Sequence, residues 1–119
     1  MDELYQLEKD LHAAKENLGK LGGQMKTSAR TEADFRSNYE ELKNVCLLQL
    51  YDEEATKAIK RTEAQRQAIY RTTYKNERRA WLMAKADMDS DRDLFKGVMA
   101  KINAIQTLIS LEKAKMNLR

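Results

Sequence analysis

The chain has 119 residues, of which 34% are charged, with four glycines and no proline. A β-sandwich, a barrel or a doubly wound sheet needs more turn residues, so the composition predicts a single all-α domain of long helices. One cysteine excludes an internal disulfide, the acidic amino terminus is unlike a secretion signal, and no apolar run is long enough to span a membrane. These features predict a cytoplasmic protein with no membrane contact.

The first 23 residues carry a heptad pattern. Apolar residues recur at spacings of three and four, as in the seam of a coiled coil: Leu4, Leu7, Leu11, Ala14, Leu18 and Leu21. Gly22 and Gly23 follow this seam. Because glycine readily adopts the left-handed conformation that closes a helix, the pattern predicts a helix over 1–23 and a loop over 24–30.

A second, longer helix is predicted over 31–88. Ser28 or Thr31 is a suitable cap for its amino terminus. A run of three carboxylates that begins at Asp52 permits a bend near that residue. An unbroken helix of this length would measure roughly 87 Å, so it requires a break or partner chains. Its apolar face comprises Phe35, Tyr39, Leu42, Cys46 and Leu50.

The last helix is predicted over 90–118, with Ser90 as its cap. Its apolar seam comprises Phe95, Val98, Ile102, Ile105 and Ile109, and Leu94, Leu108 and Leu111 widen it. A wide apolar face indicates packing against more than one helix. Three such faces are difficult to cover within one short chain, so we expect an antiparallel helical hairpin or bundle with coiled-coil character that forms a homo-oligomer.

The chain offers few residues for catalysis or metal binding. Cys46 and His12 are the only cysteine and histidine, and they lie on different predicted helices. One of each cannot supply the usual zinc ligands, and Cys46 in an apolar run is typical of a small core residue. We therefore expect no catalytic residue, no metal and no cofactor, and a protein that is not an enzyme.

Charge is distributed unevenly along the chain. Residues 1–56 carry a net charge of −5 and residues 57–119 a net charge of +8. Within 57–85, nine basic residues accompany only Glu63 and Glu77. A concentration of basic side chains on one element attracts polyanions. The basic residues assigned to a candidate nucleic-acid site are Lys57, Lys60, Arg61, Arg66, Arg71, Lys75, Arg78 and Arg79.

Three aromatic residues form a stripe beside these cations when the segment is drawn as a helix: Tyr70, Tyr74 and Trp81. Cations that follow phosphates and rings that stack on bases are typical of proteins that bind single-stranded nucleic acid. The alternative is that the rings are core or interface anchors and the basic residues meet an acidic protein. The chain would then be a structural coiled-coil adaptor or scaffold. An inhibitor of a host enzyme that mimics or captures nucleic acid is a third hypothesis.

The segment Thr62 to Ala68 (TEAQRQA), its Tyr- and Arg-rich continuation to Trp81, and the closing amphipathic helix Asp93 to Met116 are similar in layout to UvsY-type recombination mediators of tailed bacteriophages. The resemblance covers residues 55–119 and is one of order and pattern. It implies a non-enzymatic, oligomeric protein of the host cytoplasm that binds single-stranded DNA. It also implies two protein partners, a single-strand-binding protein and a strand-exchange recombinase that the mediator helps to load.

Overall fold

Residues 2–118, the part of the chain that the computed structural model describes, form three α-helices and no strand. Helix α1 spans Asp2–Lys57, α2 spans Glu63–Thr73 and α3 spans Lys75–Asn117. The prediction of an all-α fold built from long helices is confirmed. Over the same residues, no helix has a stretch that is both long enough and apolar enough to cross a lipid bilayer.

The chain divides into two compact units where the sequence predicted a single domain. The terminal unit comprises Met1–Thr27 and Met88–Arg119, and the central unit comprises Ser28–Asp87. Each unit has a cluster of buried apolar residues of its own. The two long helices therefore contribute one part of their length to each core.

In the terminal unit, the first part of α1 packs antiparallel to the last part of α3. Gly22 faces the ring of Phe95, whereas Ala14, earlier in α1, packs among isoleucines later in α3. The core consists of Ala14, Ile102, Ile105 and Ile109, with Leu4, Leu7, Leu11, Leu18 and Val98 packed against it. The two predicted seams, which also include the half-buried Leu21 and Phe95, thus cover each other within one chain and need no second copy to do so.

The predicted loop over 24–30 is wrong, because α1 continues through Gly22 and Gly23 without interruption. No glycine among residues 2–118 has a positive φ. A Cβ atom at position 22 would lie 3.7 Å from the Phe95 ring, so the α1–α3 seam includes Gly22. Packing along this seam outweighs the helix penalty of roughly 1 kcal/mol per glycine.

Helix α1 continues through Asp52 without a break and ends at Lys57. Ala58 adopts the left-handed conformation, with φ of 52°, and the Ile59 N–H donates to the Glu54 carbonyl over 3.2 Å. Together these features form a Schellman C-cap, a motif in which glycine is the usual residue. The break over 58–62 supplies the interruption that a helix over 31–88 required.

Helix α2 begins with a capping box. The Thr62 hydroxyl accepts a hydrogen bond from the Gln65 N–H over 3.1 Å, and the Gln65 side chain accepts one from the Thr62 N–H over 2.9 Å. Thr-x-x-Gln is a known start signal for a helix. This signal was present in the sequence, but the periodicity on both sides of it favoured an uninterrupted helix.

The α2–α3 junction at Tyr74 is a local distortion of a nearly continuous helix. Tyr74 has φ of −111° and ψ of 38°, yet its N–H still donates to the Tyr70 carbonyl and its carbonyl accepts from the Arg78 N–H, each over 3.0 Å. The Thr72 and Thr73 hydroxyls donate to carbonyls one turn earlier. Such back-bonding bends helices. Helix α3 then continues through Ser90, so the predicted helix start at that residue is wrong.

Candidate polyanion-binding surface

Two of the predicted nucleic-acid contacts, Arg61 and Arg66, lie in ion pairs that join α1 to the following segment. Arg61 donates to the Glu53 carboxylate, and Arg66 donates through Nε and Nη2 to both oxygens of Glu54, over 3.1 and 2.9 Å. Hydrogen bonds from the arginines lower the pKa of both glutamates below their usual value. Both arginines thus have partners within the fold, which the sequence pattern did not predict.

The arginines are also covered by neighbouring groups. Arg61 and Arg66 expose only 17% and 21% of their side chains. The Arg66 guanidinium lies 4.7 Å from the centroid of the Tyr51 ring, within the range of a cation–π contact. Both residues hold the 58–62 segment against the carboxyl end of α1, and their charge is neutralised there.

The three aromatic residues of the predicted stripe pack into the core of the central unit. Tyr70 is buried beside Tyr39, Cys46 and Leu50, and Tyr74 packs against this cluster. The α1 apolar face inferred from periodicity is thus confirmed at Tyr39, Cys46 and Leu50, whereas Phe35 on the same face is exposed. The prediction that the rings lie open beside the cations is wrong, because α1 covers them.

Trp81 is held by two specific contacts with α1. Its ring stacks on Tyr39 with centroids 5.6 Å apart and an interplanar angle of 17°. Its indole N–H donates to the buried Glu32 carboxylate over 3.1 Å. A base would have to displace both contacts in order to stack on this ring. A pattern within one helix cannot show which face another helix covers, so the sequence could not distinguish a core ring from a stacking ring.

Positive charges on three helices act on the Tyr39 hydroxyl. Burial raises the pKa of Tyr39 and the nearby Tyr70 raises it further, while Arg78, Arg71 and Lys43 lower it. The Lys43 ammonium lies 5.4 Å from the centroid of the Tyr70 ring. Lys43 on α1, Arg71 on α2 and Arg78 on α3 therefore concentrate positive charge over one region of the central unit.

Four of the predicted site residues remain available at the α2–α3 junction. We call them the cationic surface: Arg71, Lys75, Arg78 and Arg79. Arg78 is half-buried and the other three are exposed. Among residues 2–118, no carboxylate lies within ion-pair distance of any of the four. Lys75, Arg78 and Arg79 line one shallow groove together with Leu82, Met83 and Ala86.

The remaining basic residues of the segment lie outside this surface. Lys57 and Lys60 are exposed at the end of α1 and in the 58–62 segment, and Lys85 is exposed on α3.

Cys46 is buried, as predicted for a small core residue, and His12 is exposed with its Nε2 atom 3.2 Å from Glu16. Between residues 2 and 118, His, Cys, Asp and Glu side chains nowhere gather in a group of three or more that could hold a metal ion.

The arrangement can bind anionic groups through charge alone. No carboxylate of residues 2–118 pairs with the four cations of this surface, and Arg71 and Arg78 act on Tyr39 together with Lys43. They form a region of positive potential that attracts phosphate or carboxylate groups. Base stacking is not available to it, because the neighbouring rings are core residues. Binding through this surface would therefore depend on the charge of the ligand and on the salt concentration.

Comparisons with protein-family models, with curated proteins and with solved structures give no match to this chain. The likeness to UvsY-type mediators stays a prediction from the sequence pattern.

Proposed function

We propose that the chain is a non-enzymatic DNA-binding protein whose cationic surface holds the phosphate backbone of single-stranded DNA. The observation that carries the proposal is the contrast between two groups of cations in the same unit. Arg61 and Arg66 have carboxylate partners within the fold, whereas no carboxylate in the described part of the chain pairs with the cationic surface. Neutralising phosphates releases condensed counterions, which is the main source of sequence-independent affinity for nucleic acids.

Single-stranded DNA is the polyanion that we favour, for two reasons. A flexible strand can follow cations spread along one helical junction without the cost of bending a duplex. The resemblance to UvsY-type mediators also implies a single-stranded ligand. On that resemblance we further propose a role as an accessory protein in phage DNA recombination or replication, with a recombinase and a single-strand-binding protein as partners.

The experiment that tests the proposal is a fluorescence anisotropy titration with a labelled oligo-dT of 30 nucleotides at low salt. The variant combines Arg71→Gln, Lys75→Gln and Arg79→Gln, which removes three charges from exposed positions. Wild-type protein should bind with a Kd on the order of micromolar. With about 0.7 counterions released per contact, loss of three contacts should weaken binding roughly 500-fold at 50 mM salt.

A matched variant controls for net charge. Lys9→Gln, Lys15→Gln and Lys26→Gln also remove three charges from exposed positions, but in the terminal unit. This control should bind oligo-dT with an affinity within a few-fold of the wild type. Equal weakening of the two triple variants, or no binding by the wild type, would overturn the proposal.

A coiled-coil adaptor that binds an acidic protein is the second candidate function. The observation that favours it is the burial of Tyr70 and the packing of Tyr74 and Trp81 in the core, which removes any contribution from base stacking. Poly-glutamate, used as a competitor in the same titration, distinguishes the two. Displacement of oligo-dT only at a large molar excess of carboxylate over phosphate supports the DNA-binding function, and displacement at equal charge supports the adaptor.

A further inference from the structure

Helix α3 carries a second stripe rich in apolar residues, and its leucines are exposed in the part of the chain that the structure describes. We call it the second seam, and it begins one residue before the core seam and repeats with the same spacings of three and four. Its members are Leu94, Gly97, Lys101, Ala104, Leu108, Leu111 and Lys115, and Leu118 continues the same spacing one residue beyond the end of α3. The four leucines are 54%, 49%, 53% and 89% exposed in that order. Two adjacent apolar stripes about 100° apart are typical of a helix that has two helical neighbours.

The surroundings of the second seam are also unusually poor in charge. Lys101 is the only charged residue in the fifteen positions from Gly97 to Leu111, in a chain of which 34% is charged. The Thr107 hydroxyl, beside the seam, donates to the Asn103 carbonyl over 3.0 Å. It therefore satisfies part of its hydrogen-bonding capacity within the helix. A helical surface of this kind is expected to be covered by another helix.

We propose that the second seam is the interface between two copies of this chain, in which the α3 helices pack antiparallel across a two-fold axis. The two terminal units then form a four-helix bundle. In this arrangement Leu108 of one copy packs against Ala104 of the other, so that a large residue meets a small one. Lys115 lies opposite Gly97, where nothing stands within 4 Å of the glycine and the lysine stem has room.

Charge complementarity favours a second copy over a different partner. Rotation about the two-fold axis places Lys101 of one copy opposite Leu111 of the other, so that no lysine faces a lysine. In an antiparallel pair of helices such as α1 and α3, the residues one position before each core-seam residue lie on the same side of both helices. On α1 these residues run from Glu3 to Lys20, both exposed. The two-fold axis therefore brings Glu3 of one copy towards Lys20 of the other, and an acidic end meets a basic end.

The first test is the mass of the protein in solution, by light scattering coupled to size exclusion at tens of micromolar. Wild-type protein should have twice the subunit mass of 13.8 kDa. A variant with Leu108→Glu and Leu111→Glu should be monomeric and keep the helical circular dichroism, because both side chains are half exposed in the single chain. A monomeric wild type would overturn the proposal.

The matched control places the same two charges on the opposite side of the same helix. Met99→Glu and Gln106→Glu alter exposed positions on the α3 face directed away from the second seam. This variant should remain a dimer. If it dissociates as fully as the seam variant, the added charge and not the seam is responsible, and the proposal fails.

A disulfide experiment tests the antiparallel arrangement itself. Ala104→Cys and Leu108→Cys are prepared as separate proteins, each retaining the buried Cys46. On oxidation, the mixture should give a disulfide-linked dimer faster than either protein alone, because position 104 of one copy faces position 108 of the other. Faster cross-linking of each variant with itself would indicate parallel helices and would overturn the arrangement.

Discussion

Replacing Gly22 and Gly23 together with alanine is expected to raise the free energy of unfolding by about 2 kcal/mol, because each helix-interior glycine costs roughly 1 kcal/mol relative to alanine. The structure has room for both methyl groups. At position 22 the new Cβ would lie 3.7 Å from the Phe95 ring, an ordinary contact, and at position 23 nothing lies within 4 Å. Neither glycine has the positive φ that alanine would resist.

Urea titration followed by circular dichroism at 222 nm measures the effect. If the two glycines instead closed a helix before a loop, alanine would have to enter the left-handed region at a cost of about 1–2 kcal/mol, and the sign would reverse. Gly19→Ala is the control, since residue 19 is helical in both descriptions and the change should add about 1 kcal/mol in either case. A double variant less stable than the wild type would refute the continuous α1.

Three further substitutions test the contacts of the central unit. Ala58→Gly should stabilise the protein by up to about 1 kcal/mol in urea, because position 58 is left-handed and glycine adopts that conformation without strain. The hydrogen bonds from Arg66 lower the pKa of Glu54, so their stabilisation is complete above the pKa of the unfolded state and is lost as the pH falls through the folded pKa. Wild-type protein should therefore lose more stability than Glu54→Gln between pH 6 and pH 3, and equal losses would contradict the pairing. Trp81→Phe removes the indole donor from the buried Glu32 and should cost about 1–3 kcal/mol, whereas an unchanged urea midpoint would show that this hydrogen bond is unimportant.

The sequence was sufficient to predict the helices and the core of the terminal unit, because heptad spacing reports directly on which residues face a partner helix. Leu11 and Ile105 were assigned to seams from spacing alone, and both pack in the terminal core. The ends of the helices were harder to predict from the sequence. Gly22 and Gly23 suggested an end, yet packing against Phe95 keeps them helical, and the true end is at Lys57, before an alanine in the position that glycine usually holds.

The candidate site was predicted only in part. Its basic residues are visible in the local sequence, whereas their exposure depends on which other helices pack against them. The concentration of basic residues was evident, and Lys75 and Arg79 are exposed as expected. The pairing of Arg66 with Glu54 depends on a chain reversal over 58–62 that the periodicity concealed. Trp81 lies 49 residues from Glu32 in the chain, so its burial could be read only from the folded structure.

The most direct measurement of the central claim is the salt dependence of oligo-dT binding. If the four cations of the cationic surface contact phosphates, a plot of log Kobs against log [NaCl] should have a slope of about −3 for a single strand. In the variant with Arg71→Gln, Lys75→Gln and Arg79→Gln, the slope should fall to about −1, because one cation remains. A slope near zero for the wild type, or the same slope in both proteins, would contradict the assignment of this surface to phosphate binding.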